Sequence, residues 1–233
     1  MAVNGQKRTA RGRAWACAAA MALAAVAQAG RPSVNYWTDY QAEYGLADRL
    51  SLSVEQENWY DTDHFYLEET ILLAKLKICD AFAIAAGDRF VDERQVFNGK
   101  RQWRYEHRPT VDLLFQHAYE GFRLDWRNRY EYRDKEGADR EWLRFRNRLR
   151  LRTPWEWTAW RASPYTSYET YYEDRHGLPR NRRFNQQRAL VGLSMKPADH
   201  LTVSVFYLLM HKQSGDHGWQ PVHVPGVELK LDF

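Results

Sequence analysis

The sequence predicts an all-β protein, an antiparallel up-and-down transmembrane β-barrel of about ten strands behind an N-terminal signal peptide, with twelve strands as the alternative. Three observations predict it. Apolar and charged residues alternate with a period of two through much of the chain, short connections alternate with longer polar ones, and the last eight residues form an amphipathic strand ending on an aromatic side chain. The alternation is sharpest at 140–152, REWLRFRNRLRLR, where Arg144, Arg146, Arg148, Arg150 and Arg152 are interleaved with Leu143, Phe145, Leu149 and Leu151. On a helix, residues two apart lie about 200° apart, so no apolar face would survive. On a strand the same letters separate into two faces.

Taken in order, residues 1–29 are read as a signal peptide. Lys7, Arg8, Arg11 and Arg13 form a basic segment, 14–27 is apolar and alanine-rich, and Ala27-Gln28-Ala29 supplies small residues for cleavage before Gly30. The apolar segment falls short of the roughly 20 residues that a spanning helix needs. Removing its four cations leaves 30 basic against 30 acidic residues, because 1–29 contain no Asp or Glu. The domain expected at 30–233 is therefore formally neutral, which removes the main support for a nucleic-acid partner. Cys79 is the one cysteine beyond Cys17, so no internal disulfide can form.

Strand patterns follow at 36–46, 50–57, 67–78 and 81–90, the last two with poorer separation of faces. At 122–133, FRLDWRNRYEYR, Phe122, Leu124, Trp126, Tyr130 and Tyr132 oppose Arg123, Asp125, Arg127, Arg129, Glu131 and Arg133. Further patterns lie at 143–152, 188–195, 201–209 and 226–233, with 101–118 and 153–172 each long enough to hide a second crossing. Eleven candidates emerge. Single-chain bacterial barrels normally have an even number, which favours ten. Turns at 45–48, 79–81, 119–121 and 196–199 are short, whereas 91–101, 134–140, 173–183 and 211–221 read as long polar loops, the asymmetry of outer-membrane barrels.

A closed sheet in a bilayer turns its apolar face to lipid. Arginine on that face would cost about 2–4 kcal/mol at midplane, so the arginines are assigned to the lumen. The expected lumenal charge network is Arg108, Arg127, Arg129, Arg144, Arg146, Arg148, Arg150 and Arg188 with Glu106, Asp125, Glu131 and Glu169. Neutral overall charge and neighbouring acids favour a salt-bridged plug over an anion-selectivity ladder. At the C-terminus, Gly226, Leu229, Leu231 and the final Phe233 look like the signal that outer-membrane proteins present to the barrel assembly machinery. Location in the outer membrane of a Gram-negative cell, among its lipids, follows as the expectation.

Several stretches resemble the outer-membrane barrel family catalogued as domain of unknown function 2490: WRYEHRP at 103–109, the arginine strands at 122–133 and 143–152, SYETYY at 167–172 and FNQQRALVGLSM at 184–195. Glu106, Arg108, Glu169, Arg188 and Gly192 anchor the likeness. It implies fold and location and no chemistry. No catalytic, cofactor or metal motif is read from the residues: the histidines at 64, 107, 117, 176, 200, 211, 217 and 223 lack zinc spacing. His107, sharing a face with Trp103 and Tyr105, reads as part of an aromatic band. The expected function is a small barrel with a structural, narrow-channel or binding role. An anion-selective, porin-like pore or anionic-solute binder is the first alternative, and a lipid-modifying enzyme the second.

Overall fold

Alternation becomes strands wherever the described residues can be followed. The computed structural model describes residues 33–233 apart from 63, 98–99, 139, 175–182 and 214–217. The signal peptide expected at 1–29 lies outside them. In chain order the strands are β1 (Ser33–Val34), β2 (Tyr36–Ala47), β3 (Leu50–Tyr60), β4 (Phe65–Cys79), β5 (Phe82–Phe97), β6 (Lys100–Tyr119), β7 (Phe122–Lys135), β8 (Trp142–Arg152), β9 (Ser163–Asp174), β10 (Phe184–Ala198), β11 (Leu201–Gln213) and β12 (Trp219–Asp232). Each strand from β2 to β12 pairs antiparallel with the next, and β12 then pairs with β2, closing the sheet on itself.

The closing pair corrects the strand count. Among the described residues, eleven long strands and the two-residue β1 stand where ten or twelve were expected. An odd number of strands, here eleven joined by ten antiparallel steps, leaves the first and last strands parallel, and the seam runs from Gly226 opposite Trp37 to Asp232 opposite Glu43. A parallel ladder still pairs every N–H and C=O, with slanted and slightly weaker bonds, so closure does not require an even count. Phe233 extends the seam: its N–H donates to the Glu43 carbonyl at 2.9 Å and its carbonyl accepts from Gly45 N–H at 3.1 Å.

Three further expectations change. The stretch 91–101, expected as a loop, continues β5 to Phe97 and begins β6 at Lys100. Beyond an apolar belt a strand needs no apolar face, so polarity alone did not mark a loop. The stretch 101–118 is one strand, and 153–172 is a connection followed by β9. The connection 153–162 lies at the same end as the two-residue turns 48–49, 80–81, 120–121 and 199–200, which breaks the expected separation of short turns from long loops.

Register divides the faces cleanly. Leu124, Trp126, Tyr130, Leu143, Leu149 and Leu151 point outward and are substantially exposed, while the arginines between them turn inward. Asn128 and Asn147 interrupt this outward row and pair with each other, Asn147 Nδ2 donating to Asn128 Oδ1 at 2.6 Å. On β10–β12 the middle of the inward face is apolar instead, flanked by Arg188, Ser204 and Glu228: Leu190, Phe206, Leu208, Met210 and Val224 are buried with Trp59 and Tyr165. This core lies inside the barrel. Two glycines let it pack, since a Cβ on Gly226 would lie 2.3 Å from the Phe206 ring and one on Gly192 2.6 Å from the Tyr165 ring.

Candidate lumenal site

Opposite the apolar arc, β4–β9 send charged side chains into the lumen, and the low-dielectric interior demands that each be paired. Glu131 accepts from Arg89 Nη1 and Arg146 Nη1, both at 3.0 Å. Glu169 accepts from Arg146 Nη2 at 3.1 Å, Arg127 Nη2 at 3.0 Å and the Tyr171 hydroxyl at 2.8 Å, with Arg188 at 3.8 Å. Arg89 also pairs with Glu69 and lies 3.8 Å from Glu57. Arg89 and Glu131 are 0 % exposed and Arg146 6 %, so these side chains form a floor across the lumen.

A second group adjoins this floor. Arg108 grips Glu106 through two bonds of 2.8 and 3.0 Å, and Arg133 joins Glu106 to Glu173, which also accepts from Arg144 Nε at 2.7 Å. Toward the short-turn end, Arg129 holds Asp112 bidentately at 2.6 and 2.7 Å. Arg150 reaches Glu228 at 3.6 Å, and Arg148 stands in register between Arg127 and Glu169. Asp125 is apart from the floor, accepting from Arg123 at 2.9 Å and Gln116 at 3.0 Å near the turns.

Sequence reasoning missed half of the pairing. Arg89, Glu57, Glu69, Asp112 and Glu173 were not singled out. On β4 and β5 the inward face mixes Ile71, Ala85 and Val91 with Glu69 and Arg89, so no alternation exposed the charges. Partners that meet across a lumen are brought together only by closure of the sheet.

On the long-loop side of the floor a cavity of about 530 Å³ remains. Trp59, Tyr66, Trp142 and Tyr171 supply rings to its wall; eight Arg or Lys and five Glu side chains also line it. Arg188 sits among rings, its guanidinium carbon 5.1 Å from the Trp59 centroid, 4.9 Å from Tyr171 and 5.9 Å from Trp37. Trp37 and Trp59 stack on each other at 4.9 Å and form one wall beside that guanidinium. Stacking holds the guanidinium plane, and its edge is turned to the Gln186 amide oxygen at 2.7 and 3.1 Å and to Glu169 at 3.8 Å, an arrangement that keeps its N–H groups directed into the lumen.

Together these features define a closed β-barrel with an ion-paired lumen and a vestibule open at one end. The chain belongs to the family described as Protein of unknown function (DUF2490), which matches residues 34–220. No curated protein matches it. Among solved structures it is similar to LpxR from Salmonella typhimurium at 9 % identity and a TM-score of 0.48, covering 78 % of this chain and 83 % of that one.

Proposed function

We propose that this chain is an outer-membrane barrel, exported by its N-terminal segment, that is closed to ion flow and binds a small anionic solute in its vestibule. The observation that carries this is the fully buried layer of Arg89, Glu131 and Arg146 lying beneath an aromatic and net basic cavity. A water-filled pore would leave such groups solvated. Here Arg89 and Arg146 are paired with Glu131 and with Glu69 and Glu169, and the cavity wall above them holds eight cations and five carboxylates. The outward rows of Leu, Trp and Tyr support a lipid setting, since a barrel's outer band is apolar with aromatic borders.

The test has two arms. Reconstituted in planar bilayers, the protein should show no steady single-channel current; an ohmic channel would overturn closure. Trp59 and Trp142 line the vestibule and can report occupancy. Titration with inorganic phosphate or a sugar phosphate should change tryptophan emission saturably, and Arg188→Gln should abolish the change. A response that survives the substitution would remove the vestibule from the proposal. Recovery of the protein in soluble periplasm would refute the location.

A further inference from the structure

At the short-turn end four connections have two residues each, 48–49, 80–81, 120–121 and 199–200, and one does not. The exception, 153–162, reads TPWEWTAWRA and carries three tryptophans, Trp155, Trp157 and Trp160, exposed by 48, 36 and 58 %. Exposed indoles on a two-residue turn would be unusual enough; here the chain has lengthened to present them. The loop is held in shape. Trp157 N–H donates to the Ala162 carbonyl at 2.9 Å, Trp160 N–H to Thr158 Oγ1 at 3.2 Å, and Lys196 N–H to the Trp160 carbonyl at 2.7 Å. Thr158 at φ 96° and Arg161 at φ 51° adopt backbone conformations that L side chains disfavour, and the tethers hold them there.

Trp155 fixes which way the loop faces. Its ring meets Phe122 edge-on at 6.2 Å and 72°. Phe122 begins the outward row of β7 that continues through Leu124 and Trp126, so the loop is continuous with the outer apolar belt and not with the lumen. Tyr119, exposed by 66 %, stands opposite Phe122 in the register, and the exposed cations Arg161 and Lys196 adjoin Trp160. Indole rings with a polar N–H favour the boundary between hydrocarbon and water, and cations beside them favour phosphate.

We propose that loop 153–162 is a lipid-docking surface that seats its tryptophans in the head-group layer of the leaflet at the short-turn end, with Arg161 and Lys196 toward lipid phosphates. This rests on the membrane reading of the barrel, and the experiment separates the two. In a Cys79→Ser background, an environment-sensitive fluorophore is attached at Trp157→Cys, at Trp160→Cys or, as a reference on the outward belt, at Leu149→Cys. Each protein is reconstituted in phosphatidylethanolamine–phosphatidylglycerol vesicles carrying bromine either near the head group or near the chain end.

Loop labels should shift to the blue on reconstitution and lose emission mainly to bromine near the head group. The Leu149 label should respond mainly to bromine near the chain end. Quenching at 149 with water-like, unquenched emission at both loop positions would overturn the docking surface while leaving the barrel in the membrane. Loop labels quenched best from the chain end would overturn the assigned depth. Absence of quenching at all three would overturn both readings.

Discussion

Glu169 shows what one carboxylate does in this lumen. It accepts from Arg146, Arg127 and the Tyr171 hydroxyl and has Arg188 nearby, at 5 % exposure. Its replacement by Gln keeps the shape and removes the charge, leaving those cations uncompensated. Breaking a buried pair in this way costs about 3–5 kcal/mol. Glu169→Gln should therefore unfold at distinctly lower denaturant in lipid or detergent while the bilayer remains non-conducting. Asp125→Asn serves as the contrast, because its Arg123 partner is half exposed and such pairs contribute about 0–1 kcal/mol. Equal stability of Glu169→Gln and the parent, accompanied by an ionic current, would mean that the arginines line water.

At the level of strands, the same contrast between faces explains what could be read from sequence. β7 and β8 were legible because one face is charged and the other apolar, as Arg148 inside and Leu149 outside, 44 % exposed, illustrate. Leu149→Arg should destabilise the barrel in lipid by about 2–4 kcal/mol if the position is near midplane, whereas Arg148→Leu should leave the outer belt intact. Refolding yields in vesicles would measure both, and a tolerated arginine at 149 would reverse the faces. β10 and β11 were less legible. Leu190 and Val191, or Leu208 and Leu209, put apolar side chains on both faces, because an internal core on that side replaces the charge network. A run apolar on both faces carries little period-two signal. The lengths of β5 and β6 were hidden for the opposite reason, since above the belt both faces are polar and alternation disappears. Within the candidate site, the basic strands were visible and their distant acids on β3 and β4 were not, because sequence spacing carries no record of which strands face each other across a closed sheet.

The whole barrel turns on its seam. The Phe233 ring resembles an assembly signal, and its backbone also bonds β2 through Glu43 and Gly45, so two roles can be separated. Phe233→Asp keeps both backbone bonds and removes the ring, whereas deletion removes both. If the ring is the signal, either change should lower the folded, outer-membrane level without blocking export; normal assembly of Phe233→Asp alone would assign the defect to the seam. The parallel closure itself makes a sharper prediction. Thr38 and Val227 stand directly opposite each other on the outward face of β2 and β12. Neighbouring strands lie about 4.7–4.9 Å apart, inside the Cα separation of about 4.4–6.8 Å that a disulfide spans. In a Cys79→Ser background, Thr38→Cys with Val227→Cys should therefore oxidise to an intrachain bridge, seen as altered mobility of the denatured chain without reductant. A closure between antiparallel strands would run β2 the other way along β12 and carry most of the seam's facing pairs apart. Displacing one partner along the strand, with Thr38→Cys and Leu231→Cys, supplies the control: it should stay reduced if the parallel register holds, and preferential bridging there would overturn that register.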